Sequence, residues 1–218
     1  MRRFQRGFTL IEVLVVVSIL AVLMGLISVL VLRSGEEQHK FQTKTAIQQL
    51  QTAVKMYETE FHRLPPMTMN ELASIPKWTG LQVVGNTTNE CNECLLVALR
   101  HPDFSKRLGD SDLGTEEPFG NTDEDIWNKV PEGADDENAR EILDGYGNPF
   151  AYISKNHYGQ PVRLVVRGEE IEVYAVKKPN GTYYNPDSYQ IISLGANGKQ
   201  DDDPEIADDL TNFTPVKE

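Results

Sequence analysis

Three groups of residues in this 218-residue chain have types and spacings that could do chemistry. Glu12 is the only charged residue in FTLIEVLVVVSILAVLMGLISVLVL, the run from Phe8 to Leu32. A carboxylate kept in apolar surroundings needs a cationic partner, because an unpaired desolvated charge is costly. The stretch NGKQDDDPEIADDL gathers Asp201, Asp202, Asp203, Glu205, Asp208 and Asp209 within nine residues. Such crowding is relieved by solvent or by a hard cation such as Ca²⁺, which takes about six to eight oxygen ligands; the spacing is not that of an EF-hand. Cys91 and Cys94, in NECNECLL, are the only cysteines. They would close a local disulfide in an oxidising compartment and stay thiols in a reducing one, and with no second pair a four-thiolate zinc site is excluded.

The remaining residue types point away from catalysis. His39, His62, His101 and His157 are scattered, none is set beside a nucleophile, and each reads as a surface or helix residue; no glycine-rich phosphate loop occurs. The chain is expected not to be an enzyme. Its net charge is -12, with Arg2, Arg3 and Arg6 clustered before the apolar run, so the part that follows is more acidic still. That excludes the clustered basic surface a nucleic-acid partner requires.

The elements that position these groups follow from periodicity. Val13 to Leu32 is twenty residues, about 30 Å of helix, which matches a bilayer core. The arginines before it and Glu36 and Glu37 after it place the N-terminus in the cytoplasm and the rest outside, by the positive-inside rule. No A-x-A-like cleavage site follows Leu32, so the segment reads as retained. After a break at RSGEE, Phe41, Ala46, Ile47, Leu50, Ala53, Val54, Tyr57 and Phe61 recur at helical spacing, giving an amphipathic continuation over 33–64 that ends before Pro65 and Pro66. Residues 65–145 hold no long periodic element; TMNELASI, CLLVALRH and ENAREIL read as short helices in a solvated insertion. GNPFAYIS, PVRLVVRG, EEIEVYAVKK and SYQIISLG read as strands, expected to form an antiparallel meander over the helix within 146–218. The expected class is α+β, with one soluble domain beside one anchor.

RGFTLIEVLVVVSIL resembles the N-terminus of type IV pilins and type II secretion pseudopilins, in which a basic leader ending in glycine precedes F-T-L-x-E. DGYGNPFAYI is similar to the D-x-W-G-N-P-Y-x-Y segment of major pseudopilins, with Tyr146 where they often have tryptophan, and YQIISLGANGKQDDDPEIADDLTNF to their closing S-L-G-A-D-G stretch and acidic loop. The resemblance implies a leader over residues 1–7, cut by a prepilin peptidase after Gly7, with methylation of the new amino terminus at Phe8. Residues 8–32 become the transmembrane assembly helix. Glu12 becomes the fifth residue of the mature chain. The new α-amine, with a pKa of about 7.7–8.0, could pair with Glu12 of a neighbouring subunit and set axial register. In the resembling proteins the acidic loop binds Ca²⁺, which carries over to the Leu194 carbonyl, Asp203 and Asp209, with Asn197 standing where the family has aspartate.

These features imply a structural subunit of the inner membrane with a periplasmic domain, polymerising into a helical homo-oligomeric filament beside other pseudopilins and the inner-membrane secretion platform. The rival in the same class is a type IV pilus subunit, although pilins commonly carry a disulfide of distant cysteines. The rival from another class is a membrane-anchored thiol oxidoreductase using Cys91 and Cys94, since a helix N-terminus lowers a thiol pKa. A disulfide tightening an outward-facing loop is the expected state of that pair.

Overall fold

Helix α1 (Leu10–Phe61) runs for 52 residues and includes Ser34 and Gly35, so the apolar run and its amphipathic continuation form one long helix, as the sequence reads. The strong helix formers on either side outweigh the roughly 1 kcal/mol that a glycine costs within a helix. The computed structural model describes residues 10–115, 117–201 and 208–214, with backbone alone over 25–34. The chain divides between Gln38 and His39 into two compact units.

In the first unit the helix from Leu10 to Met24 is apolar apart from Glu12 and Ser18, and Leu10, Ile11, Val13 to Val17, Ile19, Leu20 and Val22 to Met24 are all exposed. Side chains of this run are described only as far as Met24, and among the described residues no helix is long and apolar enough to cross a membrane.

In the second unit α1 is amphipathic. Ala46, Ile47, Leu50, Ala53, Val54 and Tyr57 are buried, and Phe61 packs half-buried against them. Phe41, expected on this face, is 71% exposed, and Thr43 opens the face instead, with no exposed surface. The helix ends at Phe61, followed by His62 with a positive φ and then by Pro65 and Pro66.

Around this face come α2 (Met69–Ala73), β1 (Val83–Val84), α3 (Glu90–Arg100), β2 (Phe119–Gly120), β3 (Ile126–Trp127) and β4 (Glu141–Ile142). Then follow β5 (Ala151–Ser154), β6 (Val162–Val166), β7 (Glu169–Val173), β8 (Tyr189–Ser193) and β9 (Leu210–Thr211). The architecture is α+β, a long N-terminal helix followed by small antiparallel sheets, as in the pilin-like fold. The meander is not formed. β8 lies between β5 and β9, while β6 and β7 leave as a separate hairpin closed by Arg167 and Gly168. β5 and β8 are buried along their whole length, whereas β6 alternates, with Val162, Leu164 and Val166 inward.

The insertion is not a solvated loop. Leu95, Leu99, Phe104, Leu113 and Trp127 join the same core as α1 and β5. Two of its expected helices exist, as α2 and α3, but ENAREIL is extended and supplies β4. Asn92 of α3 explains the difference. Its Oδ1 accepts from the Ile142 N–H at 2.7 Å, and its Nδ2 donates to the carbonyls of Ile142 at 2.9 Å and Phe150 at 2.8 Å. Backbone groups that a helix would pair internally are held by a neighbouring side chain, which overrides local propensity.

The DGYGNP turn joins the layers. Asp144 accepts from the Ser193 hydroxyl at 2.6 Å and from the N–H groups of Tyr146 and Asn148, while Asn148 Nδ2 donates to the Gly195 carbonyl at 2.8 Å. The Gly145 N–H donates to Thr43 Oγ1 at 2.9 Å, bringing the turn onto α1 so closely that an added Cβ would lie 2.3 Å from the His39 carbonyl oxygen. Gly145→Ala is therefore expected to lower stability by about 1–3 kcal/mol, as overpacking does. Gly159→Ala, where a Cβ meets nothing within 4 Å, should leave it unchanged. Thermal unfolding of the two variants beside the parent checks this.

Candidate functional site

Two regions answer to the expected sites. In the first, Glu12 stands exposed in the first turn of α1, where the positive end of the helix dipole favours a carboxylate, amid the exposed apolar side chains of Leu10 to Met24. Gly7 and Phe8, the residues assigned to processing, lie outside the described residues.

The second is the loop after β8. Gly195 has a positive φ of 57°, and an added Cβ would lie 2.4 Å from the Asp208 carbonyl, so only glycine lets the returning chain come this close. Asp201, Asp208 and Asp209 each bring a carboxylate oxygen within 4.8 Å of the others. Asp208 Oδ2 accepts from the Asn197 N–H at 2.8 Å, and Asp209 Oδ2 from the Asp201 N–H at 3.0 Å. Burial, then the charges of Asp201 and Asp208, push the Asp209 carboxyl up to about 7 against that N–H. Asp208 Oδ1 and Asp209 Oδ1 are buried with no hydrogen-bond partner. Orphaned carboxylate oxygens beside a third carboxylate fit a hard cation.

Of the expected ligands, Asp209 joins this cluster, and Asp203 lies outside the described residues. The Leu194 carbonyl accepts from the Gly198 N–H at 3.1 Å. Asn197 is occupied within the turn, its Nδ2 donating to Asp201 at 3.0 Å and its Oδ1 accepting from the Lys199 N–H at 2.6 Å. Asp201 and Asp208 were not among the expected ligands, although both stand in the acidic run; their convergence depends on the fold of the loop.

Residues 2–28 match the family model for the prokaryotic N-terminal methylation motif. The chain carries a prepilin-type N-terminus. That motif implies processing by a prepilin peptidase and assembly into filaments, and supports a type IV pilin-like subunit. No curated protein and no solved structure matches the chain.

The cysteines of the chain depart from expectation. Cys91 and Cys94 are free thiols, both buried on α3, and the expected disulfide is absent. Each sulfur belongs to the core: Cys91 is 3% exposed, and Cys94, with none, donates to Met69 Sδ at 3.8 Å. Burial pushes the Cys91 thiol up to about 12 and Cys94 well above its ordinary value, so desolvation outweighs the helix N-terminus. A thiol oxidoreductase would lack its thiolate nucleophile here. His101, expected at the surface or on a helix, is instead buried just after α3 against Trp78, and desolvation lowers its pKa. Thiol titration without reductant should find two reactive groups after denaturation and almost none in the native protein. A disulfide would yield none in either state.

Proposed function

We propose that this chain is a pseudopilin of a type II secretion system, a structural subunit with no catalytic chemistry of its own. Prepilin peptidase removes Met1 to Gly7 and methylates Phe8, and the subunit polymerises into a periplasmic filament with other pseudopilins on the inner-membrane platform. The observation that carries the reading is the methylation motif over 2–28, together with Glu12 in the first turn of an exposed helix that is otherwise apolar to Met24 apart from Ser18. A helix of this kind is stable in lipid or among copies of itself.

Within that setting Glu12 acts as the register group. In a filament core its carboxylate pairs with the α-amine of a neighbour, and truncating one partner strands the other charge. The run from Phe8 to Leu32 holds the subunit in the inner membrane before assembly, with Arg2, Arg3 and Arg6 on the cytoplasmic side. The acidic loop supports a calcium site in which Asp201, Asp208 and Asp209 supply carboxylate oxygens, tying the segment before β9 to the end of β8. Bound there, the ion would neutralise the like charges of the loop. The pseudopilin reading is favoured over a pilus subunit by the C-terminal acidic loop and by the cysteines, which are only the close pair Cys91 and Cys94 and cannot form a disulfide between positions distant in sequence.

Intact mass of the membrane-extracted protein tests the processing. With the peptidase present, the chain is expected to lack Met1 to Gly7 and to carry one added methyl; in its absence both changes disappear. Glu12→Ala should be processed normally yet fail to enter filaments, read by cross-linking between subunits. Filaments of normal abundance from Glu12→Ala would overturn its role.

A further inference from the structure

A second carboxylate cluster lies inside the insertion, away from the acidic loop in sequence and on different elements. Glu93 comes from α3, Asp123 and Asp125 from the connection between β2 and β3, and Glu141 from β4. Glu93, Asp123 and Glu141 each place a carboxylate oxygen within 4.8 Å of the others. Glu93 is 1% exposed, Asp125 2% and Glu141 fully buried.

Donors reach only part of the cluster. Glu141 accepts from Asn89 Nδ2 at 2.7 Å and from the Thr122 N–H at 3.0 Å, and Asp123 Oδ2 accepts from Thr88 Oγ1 at 2.8 Å. Both oxygens of Glu93, both of Asp125 and Oδ1 of Asp123 are buried with no hydrogen-bond partner. The charges acting most strongly on Glu93 are those of Asp125, Asp123 and Glu141; after burial itself, they push its carboxyl well above the usual range. Buried carboxylates are ordinarily paired or metal-bound, and these are held together by the packing around them.

We propose that Glu93, Asp123 and Glu141, with Asp125 beside them, form a binding site for a hard divalent cation of the calcium class. The donor set is all oxygen, without histidine or thiolate, which disfavours zinc and copper. Three to four carboxylates supply the negative charge, and Ca²⁺ accepts irregular oxygen cages that Mg²⁺ does not. A cleft of about 440 Å³, bounded by Met69, Gln82, Asn86 and Glu90, borders the cluster at Glu93. The ion would fasten α3, the β2–β3 connection and β4 to one another, ordering the insertion from within. The competing remedy is protons shared among the carboxyls.

The test uses the full-length, detergent-extracted protein with calcium as the probe. Asp208→Asn with Asp209→Asn disables the acidic loop, so any remaining response reports the buried cluster. In that background calcium at about a hundredfold excess over its dissociation constant is expected to raise the thermal midpoint by roughly 5–10 °C. Adding Glu93→Gln should raise the midpoint without calcium, by removing a buried repulsion, and abolish the calcium response. Equilibrium dialysis provides a second reading that does not depend on the loop variant folding: Glu93→Gln alone should lose one bound calcium per chain. Retention of that calcium, or a loop-disabled protein that stays folded and indifferent to calcium, would overturn the site in favour of shared protons.

Discussion

Everything in the C-terminal unit depends on covering one stripe of α1. Leu50 and Val54 have no exposed surface and Tyr57 almost none, and they are flanked by Ala46 and Ala53, whose small side chains let other elements come close. A helix face of this kind has no stable state in water until something lies over it. The cover comes from several directions: α3 and the strands β5 and β8 share a core with the stripe, and the DGYGNP turn meets the helix at the His39 carbonyl and the Thr43 hydroxyl. Tyr189 adds a hydroxyl donated to the Gln51 carbonyl.

Polar side chains decide which backbone goes where within that cover. Asn89 and Asn92 sit three positions apart at the start of α3, and both are fully buried. Asn89 receives the Val165 N–H while donating to Glu141 and Thr122; Asn92 brackets Ile142 from both sides. An amide both donates and accepts, so neither leucine nor aspartate could replace these residues without leaving buried groups unmet. The two-residue strand β4 is held by such clamps at Glu141 and Ile142 as well as by its short ladder with β2.

What could be read from the sequence tracks the length of each pattern. The α1 stripe was legible because Ile47, Leu50, Val54 and Tyr57 repeat over several turns, and β5 to β8 because each is a run of β-branched or aromatic residues between turn residues. Thr43 in place of Phe41 was not legible, since its burial reflects a turn arriving from Gly145, about a hundred residues later. The strand at Glu141 and Ile142 looked helical because its Glu, Ala and Arg neighbours favour helix, and only the Asn92 amide reverses that. The cysteine pair misled for a related reason: spacing showed a helix N-terminus but not the core that buries it. At the candidate sites, Glu12 stood out as a lone charge, while the carboxylates that meet in space, Asp201 with Asp208 and Asp209, required the loop to fold first.

The long reach of these contacts bears on how the domain is made. Gln51 donates to the Asn212 carbonyl 161 residues away, and Tyr189 returns to Gln51 across 138. Contacts so remote in sequence make folding slow, since loop closure precedes any reward. During synthesis, the α1 stripe is left without its full cover until residues 189–212 arrive, a window in which chaperones would compete with the domain's own strands for the same apolar face.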